Sequence, residues 1–252
     1  MVDGDLDSAA VDALRARVCA TAKRMHALGL VIGTDGNVSA RVAPGSDWVV
    51  IKPSGVPYPD MAPRHMVLCT VDGTPAPGEL YKPSSEINLH TGIYRARPDV
   101  QAVVHVHSMY AGALACTRRP LPYGHYSVSE VAEGDDPAVG VACCPYHCYG
   151  TQALGDACVA ALGKNAAVLL ANHGSVTVGP DLDAALYNAR RLERECEMYY
   201  IALQLPNGPQ LLSRAELASM RERNKTYGQV DDGTEDGEGH GLGGAKKRSV
   251  CF

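Results

Sequence analysis

Apolar residues recur at three- and four-residue intervals, or multiples of them, between Ser8 and Leu28. Val11, Leu14, Val18, Met25 and Leu28 fall on one face of a predicted helix. Ser8 is placed to cap its start and Gly29 to end it. The period then changes. Strands are predicted at Val38–Val42, Trp48–Ile51 and Met66–Val71, parted by turns rich in proline and glycine. The Ser84-Ser85-Glu86 step opens a helix running to about Arg97, and Gln101–His107 and Ala167–Asn172 read as further strands. Thr151–Leu162 and Asp181–Leu203 carry helical patterns, and Ser213 with Glu216 forms a capping box for a last helix through Lys225. The pattern predicts one α/β domain over residues 8–228, with strands in the centre, helices outside and no internal repeat.

Composition narrows the function classes. With 252 residues and 46% hydrophobic content the chain can build one sizeable core. A formal net charge of −5 gives no global basic field to attract nucleic acid, although a local electropositive pocket stays open. The N-terminal stretch lacks the basic-then-apolar signature of a secretory signal, and no apolar run is long enough to cross a bilayer. The nine cysteines therefore read as reduced thiols of a cytoplasmic protein. Cys143, Cys144 and Cys148 are close enough for a soft-metal site but have no second Cys/His pair at finger spacing. Residues 229–252 are rich in Gly, Asp and Glu before a short basic end, a composition expected of a disordered tail.

The candidate chemistry lies between these elements. In VVHVHS at 103–108, residues two apart on a strand point the same way, so His105 and His107 form a natural chelating pair. His173, in LLANHG, sits at the edge between a strand and a loop, where sites are commonly built. Glu86 stands at a helix start, where the helix dipole favours an anion. Read singly, Glu86 is a first-turn acid and His173 a hydrogen-bonded turn histidine, and only the combination points to a metal. Three polar turns, GTDGNVS at 33–39, KPSGVPY at 52–58 and KPSSE at 82–86, offer backbone N–H groups and Ser, Thr and Asn donors suited to a phosphate. None is a Walker loop or a dinucleotide-binding glycine pattern.

With these residues laid out, the chain resembles the class II aldolase family of the L-fuculose-1-phosphate aldolase and L-ribulose-5-phosphate 4-epimerase type. GTDGNVSAR, IKPSGVPY, KPSSE, AVVHVHS, GHY at 124–126, CPYHCYGT at 144–151, LLANHG and KTYG at 225–228 occur in the family's order. The resemblance implies a single domain with a central, mainly antiparallel β-sheet flanked by helices. It implies one Zn²⁺ per subunit on Glu86, His105, His107 and His173, with Glu86 doubling as general acid/base. Its phosphate cradle corresponds to Thr34, Gly36, Asn37, Ser54, Gly55, Ser84 and Ser85, its catalytic tyrosines to Tyr126 and Tyr227, and an aromatic lining the aldehyde side to Tyr149. The expected partners are a small phosphorylated ketose, cleaved to dihydroxyacetone phosphate and an aldehyde, and further copies of the chain in a homotetramer with interfacial sites. The wording of VVIKPSGVPY and HVHS leans toward the epimerase branch, whereas Glu rather than Asp at position 86 leans toward the aldolases. Decarboxylases and a dehydratase share the scaffold, and so does the non-catalytic adducin head.

Overall fold

A computed structural model describes residues 7–224. Tyr227 and the tail 229–252 lie outside the described residues.

Seven strands form one sheet: β1 Asn37–Arg41, β2 Trp48–Ile51, β3 Val67–Thr70, β4 Ala102–Val106, β5 Cys143–Cys144, β6 Ala167–Leu170 and β7 Gly174–Gly179. Their order is β3-β2-β1-β4-β7-β6-β5, and every pair is antiparallel except β5 with β6. Six helices flank it: α1 Ser8–Ala27, α2 Ile87–Ala96, α3 Met109–Cys116, α4 Gln152–Leu162, α5 Leu182–Leu203 and α6 Arg214–Asn224. Among the described residues no helix is long and apolar enough to cross a membrane.

The alternation of strand side chains decides which helix covers which face. Ala102, Val104 and Val106 of β4 pack with Leu14 and Val18 of α1 and with Leu186 and Ala189 of α5. Val103, between them, points to the opposite face, where Leu89 and Ile93 of α2 and Leu154 and Cys158 of α4 complete a second core. A third cluster joins α3, α5 and α6 through Ala111, Leu192 and Leu217. His105 follows Val103 by two residues and therefore shares the α2/α4 face.

Local signals account for most boundaries. Thr151 and Asp181 cap α4 and α5 with their side chains, and Ser213 and Glu216 exchange the reciprocal bonds of a capping box before α6. Two helix starts differ from the sequence reading. Asp7, not Ser8, caps α1, its carboxylate accepting the Ala9 N–H at 2.9 Å, so Ser8 is the first helical residue. α2 starts at Ile87, with Glu86 as its N-cap and no side-chain capping bond. Glu86 is thereby free to face the sheet.

Candidate metal centre and cavity

Three elements bring four donors of metal-ligating type together. His105 is fully buried near the end of β4. His107 lies one residue beyond that strand. His173 lies in the three-residue connection between β6 and β7, where Asn172 takes a left-handed φ of 54° that asparagine tolerates better than most residues. Glu86 enters from the N-terminus of α2. The three imidazole centroids are 4.8–4.9 Å apart, and one donor atom from each of Glu86, His105, His107 and His173 lies within 4.8 Å of the others.

The proton inventory of this cluster favours a cation. His105 Nδ1 donates to the Ser175 carbonyl at 2.9 Å, which leaves the Nε2 side aimed at its neighbours. That Nε2 is 2.9 Å from His107 Nε2 and 3.1 Å from Glu86 Oε2, while His173 Nε2 is 3.4 Å from Glu86 Oε1. Lone pairs this close need a proton or a positive ion between them. Burial pulls the His105 imidazole down, but the Glu86 carboxylate outweighs it and holds the imidazole pKa above its usual value. Burial and the charge on His105 push His107 and His173 down to about 4, against the pull of Glu86, so both rings are neutral ligands at neutral pH. Burial alone would raise the Glu86 carboxyl, yet His105, His173 and the Asn37 amide hold it below the carboxylate range. Glu86 Oε1 is buried without a hydrogen-bond partner. Three imidazoles, one carboxylate and an orphaned carboxylate oxygen suit Zn²⁺ or a comparable divalent ion, which would take the place of the proton on His105.

The 33–36 turn is held beside this cluster from below. Tyr58 donates to the Asp35 carbonyl at 2.5 Å and Lys52 Nζ to the Thr34 carbonyl at 2.9 Å. Gly36 has φ +65°, and a Cβ there would lie 2.7 Å from the His105 carbonyl, so the close approach of this turn to β4 requires glycine. Burial lowers the Lys52 ammonium to about 8 despite the nearby Asp35 and Glu86.

A cavity of about 470 Å³ opens over the cluster. Glu86, His107 and His173 line it with Thr34, Gly36, Asn37, Ser54, Gly55, Ser84, Ser85 and Tyr149, while His105 sits behind the wall. Two named residues stand differently. The Asn37 amide donates from Nδ2 to Glu86 Oε2 at 3.0 Å and engages His90 through Oδ1, so this side chain serves Glu86. Tyr126 is exposed at the start of a 3₁₀ turn, Tyr126–Glu130, and does not line the cavity. Cys143, Cys144 and Cys148 are not part of the donor group found among the described residues.

Asp35, Lys52, Tyr146, His147 and Asn172 also line the cavity, and no motif in the sequence singles them out. The available signal for Lys52 was a lysine directly after the apolar run WVVI, a position that buries an ammonium at a strand end.

Residues 16–200 match the family model described as "Class II Aldolase and Adducin N-terminal domain". The chain belongs to this family. An L-fuculose phosphate aldolase of Escherichia coli O6:H1 is 34% identical over 215 residues, 85% of this chain and 95% of the relative. A 5-methylthioribulose-1-phosphate/5-deoxyribulose-1-phosphate aldolase of Rhodospirillum rubrum is 38% identical over 216 residues, 86% and 93% of the two chains. A solved L-fuculose 1-phosphate aldolase superposes with a TM-score of 0.77 at 30% identity, covering 84% of this chain and 96% of its own. The class II aldolase match spans the sheet from β1 to β7 and includes all four clustered donors, but ends before α6.

Proposed function

We propose that this protein is a zinc-dependent aldolase that reversibly cleaves a 1-phosphoketose to dihydroxyacetone phosphate and an aldehyde. The observation that carries the reading is the Glu86/His105/His107/His173 cluster beside a cavity that residues of three anion-suited turns also line. The names of relatives such as the L-fuculose phosphate aldolase and the 5-methylthioribulose-1-phosphate/5-deoxyribulose-1-phosphate aldolase support it. A bound Zn²⁺ would supply Lewis acidity for the negative charge that develops as the carbon–carbon bond breaks.

The chain's own residues supply the rest. Ser54, Gly55, Ser84 and Ser85, with the 33–36 turn, hold the phosphate and fix the reacting carbons, and Lys52 behind them adds positive charge. Glu86 is the acid/base. Its Oε2 is occupied by the Asn37 amide, which leaves Oε1 as the oxygen that takes up or releases the proton. Tyr149 borders the aldehyde end. Tyr126, exposed and away from its own cavity, acts at the site of a neighbouring subunit in a homotetramer, taking up the proton of the hydroxyl that becomes the aldehyde carbonyl in cleavage and returning it in condensation, and Tyr227 serves the same proton transfer. Tyr200, Ile201, Leu203 and Leu205 supply exposed apolar surface for such packing.

The test is cleavage of a panel of 1-phosphoketoses (fuculose, 5-deoxyribulose and 5-methylthioribulose types) with dihydroxyacetone phosphate detected enzymatically. Release from at least one is expected, and the best of them defines the substrate. Folded, zinc-loaded protein inert toward all of them would refute the reading.

A further inference from the structure

A line of buried polar side chains runs away from Glu86 between α2 and β1, and beyond Asn37 it takes no part in the chemistry assigned above. Glu86, His90 and Tyr94 are spaced four residues apart, so they stack along one face of α2, with Glu86 as its N-cap. Asn37, Ser39 and Arg41 are spaced two apart on β1 and face that side of the sheet. Four helical residues rise about 6 Å and two strand residues about 6.6 Å, so the two series stay in step. Each helix residue meets its strand counterpart. Asn37 Nδ2 donates to Glu86 Oε2 at 3.0 Å, His90 Nε2 engages Asn37 Oδ1, His90 Nδ1 is 2.7 Å from Ser39 Oγ, and Ser39 Oγ is 2.8 Å from the Tyr94 hydroxyl. The Arg41 guanidinium closes the far end, donating to the Tyr94 carbonyl and lying 4.8 Å from its ring centre. His90 and Ser39 have no exposed surface, and Tyr94 has 1%.

The direction of every bond follows from one end. A carboxylate only accepts, so Asn37 must present its NH₂ to Glu86 and its carbonyl oxygen to His90. His90 must then donate from Nε2, which leaves Nδ1 to accept from the Ser39 hydroxyl, and Ser39 in turn accepts from Tyr94. Burial and the charge on His105 push His90 down to about 3, which keeps this single neutral tautomer at all working pH values.

We infer that His90, backed by Ser39 and Tyr94, is a positioning residue that locks the Asn37 amide in the one orientation that clamps Glu86 Oε2 and leaves Oε1 beside His173 Nε2. Its effect on turnover rests on the aldolase reading, but its effect on the carboxylate's pose does not. Without the Nε2 donor, the Asn37 amide can rotate and set a carbonyl oxygen against the carboxylate.

The experiment is a double-mutant cycle read by zinc affinity, measured by competition with a chromogenic chelator, and by kcat and KM for cleavage. His90→Phe is expected to weaken zinc binding about 10- to 100-fold, as loss of a ligand's supporting partner does elsewhere. In a Glu86→Ala background the same substitution should have almost no further effect. His90→Gln, which returns an N–H donor near Nε2, should recover most of the affinity. Turnover should follow, with kcat reduced and KM little changed. An equal loss of zinc affinity with and without Glu86, or no loss at all, would overturn the inference. If His90→Phe does not fold, Tyr94→Phe removes only the terminal hydroxyl and carries the same cycle, with a smaller loss expected that again disappears without Glu86. Wild-type protein that binds zinc but cleaves nothing would remove the aldolase reading and leave the zinc cycle to decide this one.

Discussion

Replacing Lys52 by methionine tests how the floor of the cavity is built. Lys52 is 2% exposed, and burial lowers its ammonium from 10.5 to about 8 even with Asp35 and Glu86 nearby. Between these two values the folded protein binds fewer protons than the unfolded chain, so this group makes stability rise with pH, and its cost is fully present below about 8. The difference between 10.5 and about 8, at about 1.4 kcal/mol per pH unit, corresponds to about 3 kcal/mol near neutral pH. About 2 kcal/mol of that penalty is released between about pH 7 and about pH 9.5. Methionine fills similar volume without titrating. Whatever the substitution costs through the lost bond to the Thr34 carbonyl, that offset does not vary with pH. The stability difference between variant and wild type, from urea denaturation across this range, should therefore move by about 2 kcal/mol in favour of the wild type as pH rises. A difference that stays flat with pH, in zinc-free protein without added anions, would rule out a desolvated ammonium and place it in contact with water.

Other perturbations separate the roles proposed for neighbouring residues. Glu86→Gln keeps three imidazoles and should retain zinc at least in part, while kcat drops about 10²- to 10⁴-fold; metal analysis beside steady-state kinetics checks both. Gly36→Ala places a methyl 2.7 Å from the His105 carbonyl at φ +65°, and should lose about 2 kcal/mol or more in denaturant unfolding together with weaker zinc binding. Tyr126→Phe and Glu86→Gln subunits, each nearly inactive alone, should regain part of the activity when unfolded together and refolded as mixed oligomers, because the two residues would serve one site from different chains.

The elements most legible in the sequence were those with a one-sided apolar pattern and a local stop. α1, α4 and α5 each combine an apolar stripe with an adjacent capping residue or a glycine, and β2 carries the run WVVI between turn residues. α3 was not predicted because MYAGALAC has no polar face to set a period. β7, GSVTVG, is bracketed by glycines that read as turn signals, yet its central pairing with β4 and β6 buries all six residues. β5 has only two residues and exists because β6 offers it an edge. At the site, the H-x-H alternation held the same-face placement of His105 and His107, although β4 ends at Val106. The spacing of Glu86, His90 and Tyr94 was equally present in the chain, but its meaning depends on β1 lying under α2, a pairing across about fifty residues that no local pattern encodes. For the same reason Asn37 was read as a phosphate donor, whereas its amide is taken up by Glu86 and His90.

In the proposed mechanism turnover depends on a divalent ion held by Glu86, His105, His107 and His173. Dihydroxyacetone phosphate release from the best 1-phosphoketose, followed before chelation, after removal of bound metal, and after zinc is restored, tests it most directly. Release should be abolished by chelation, return with about one zinc per subunit, and not return in a His105→Ala variant. Full activity in demonstrably metal-free protein, or zinc restoration undiminished by His105→Ala, would contradict it.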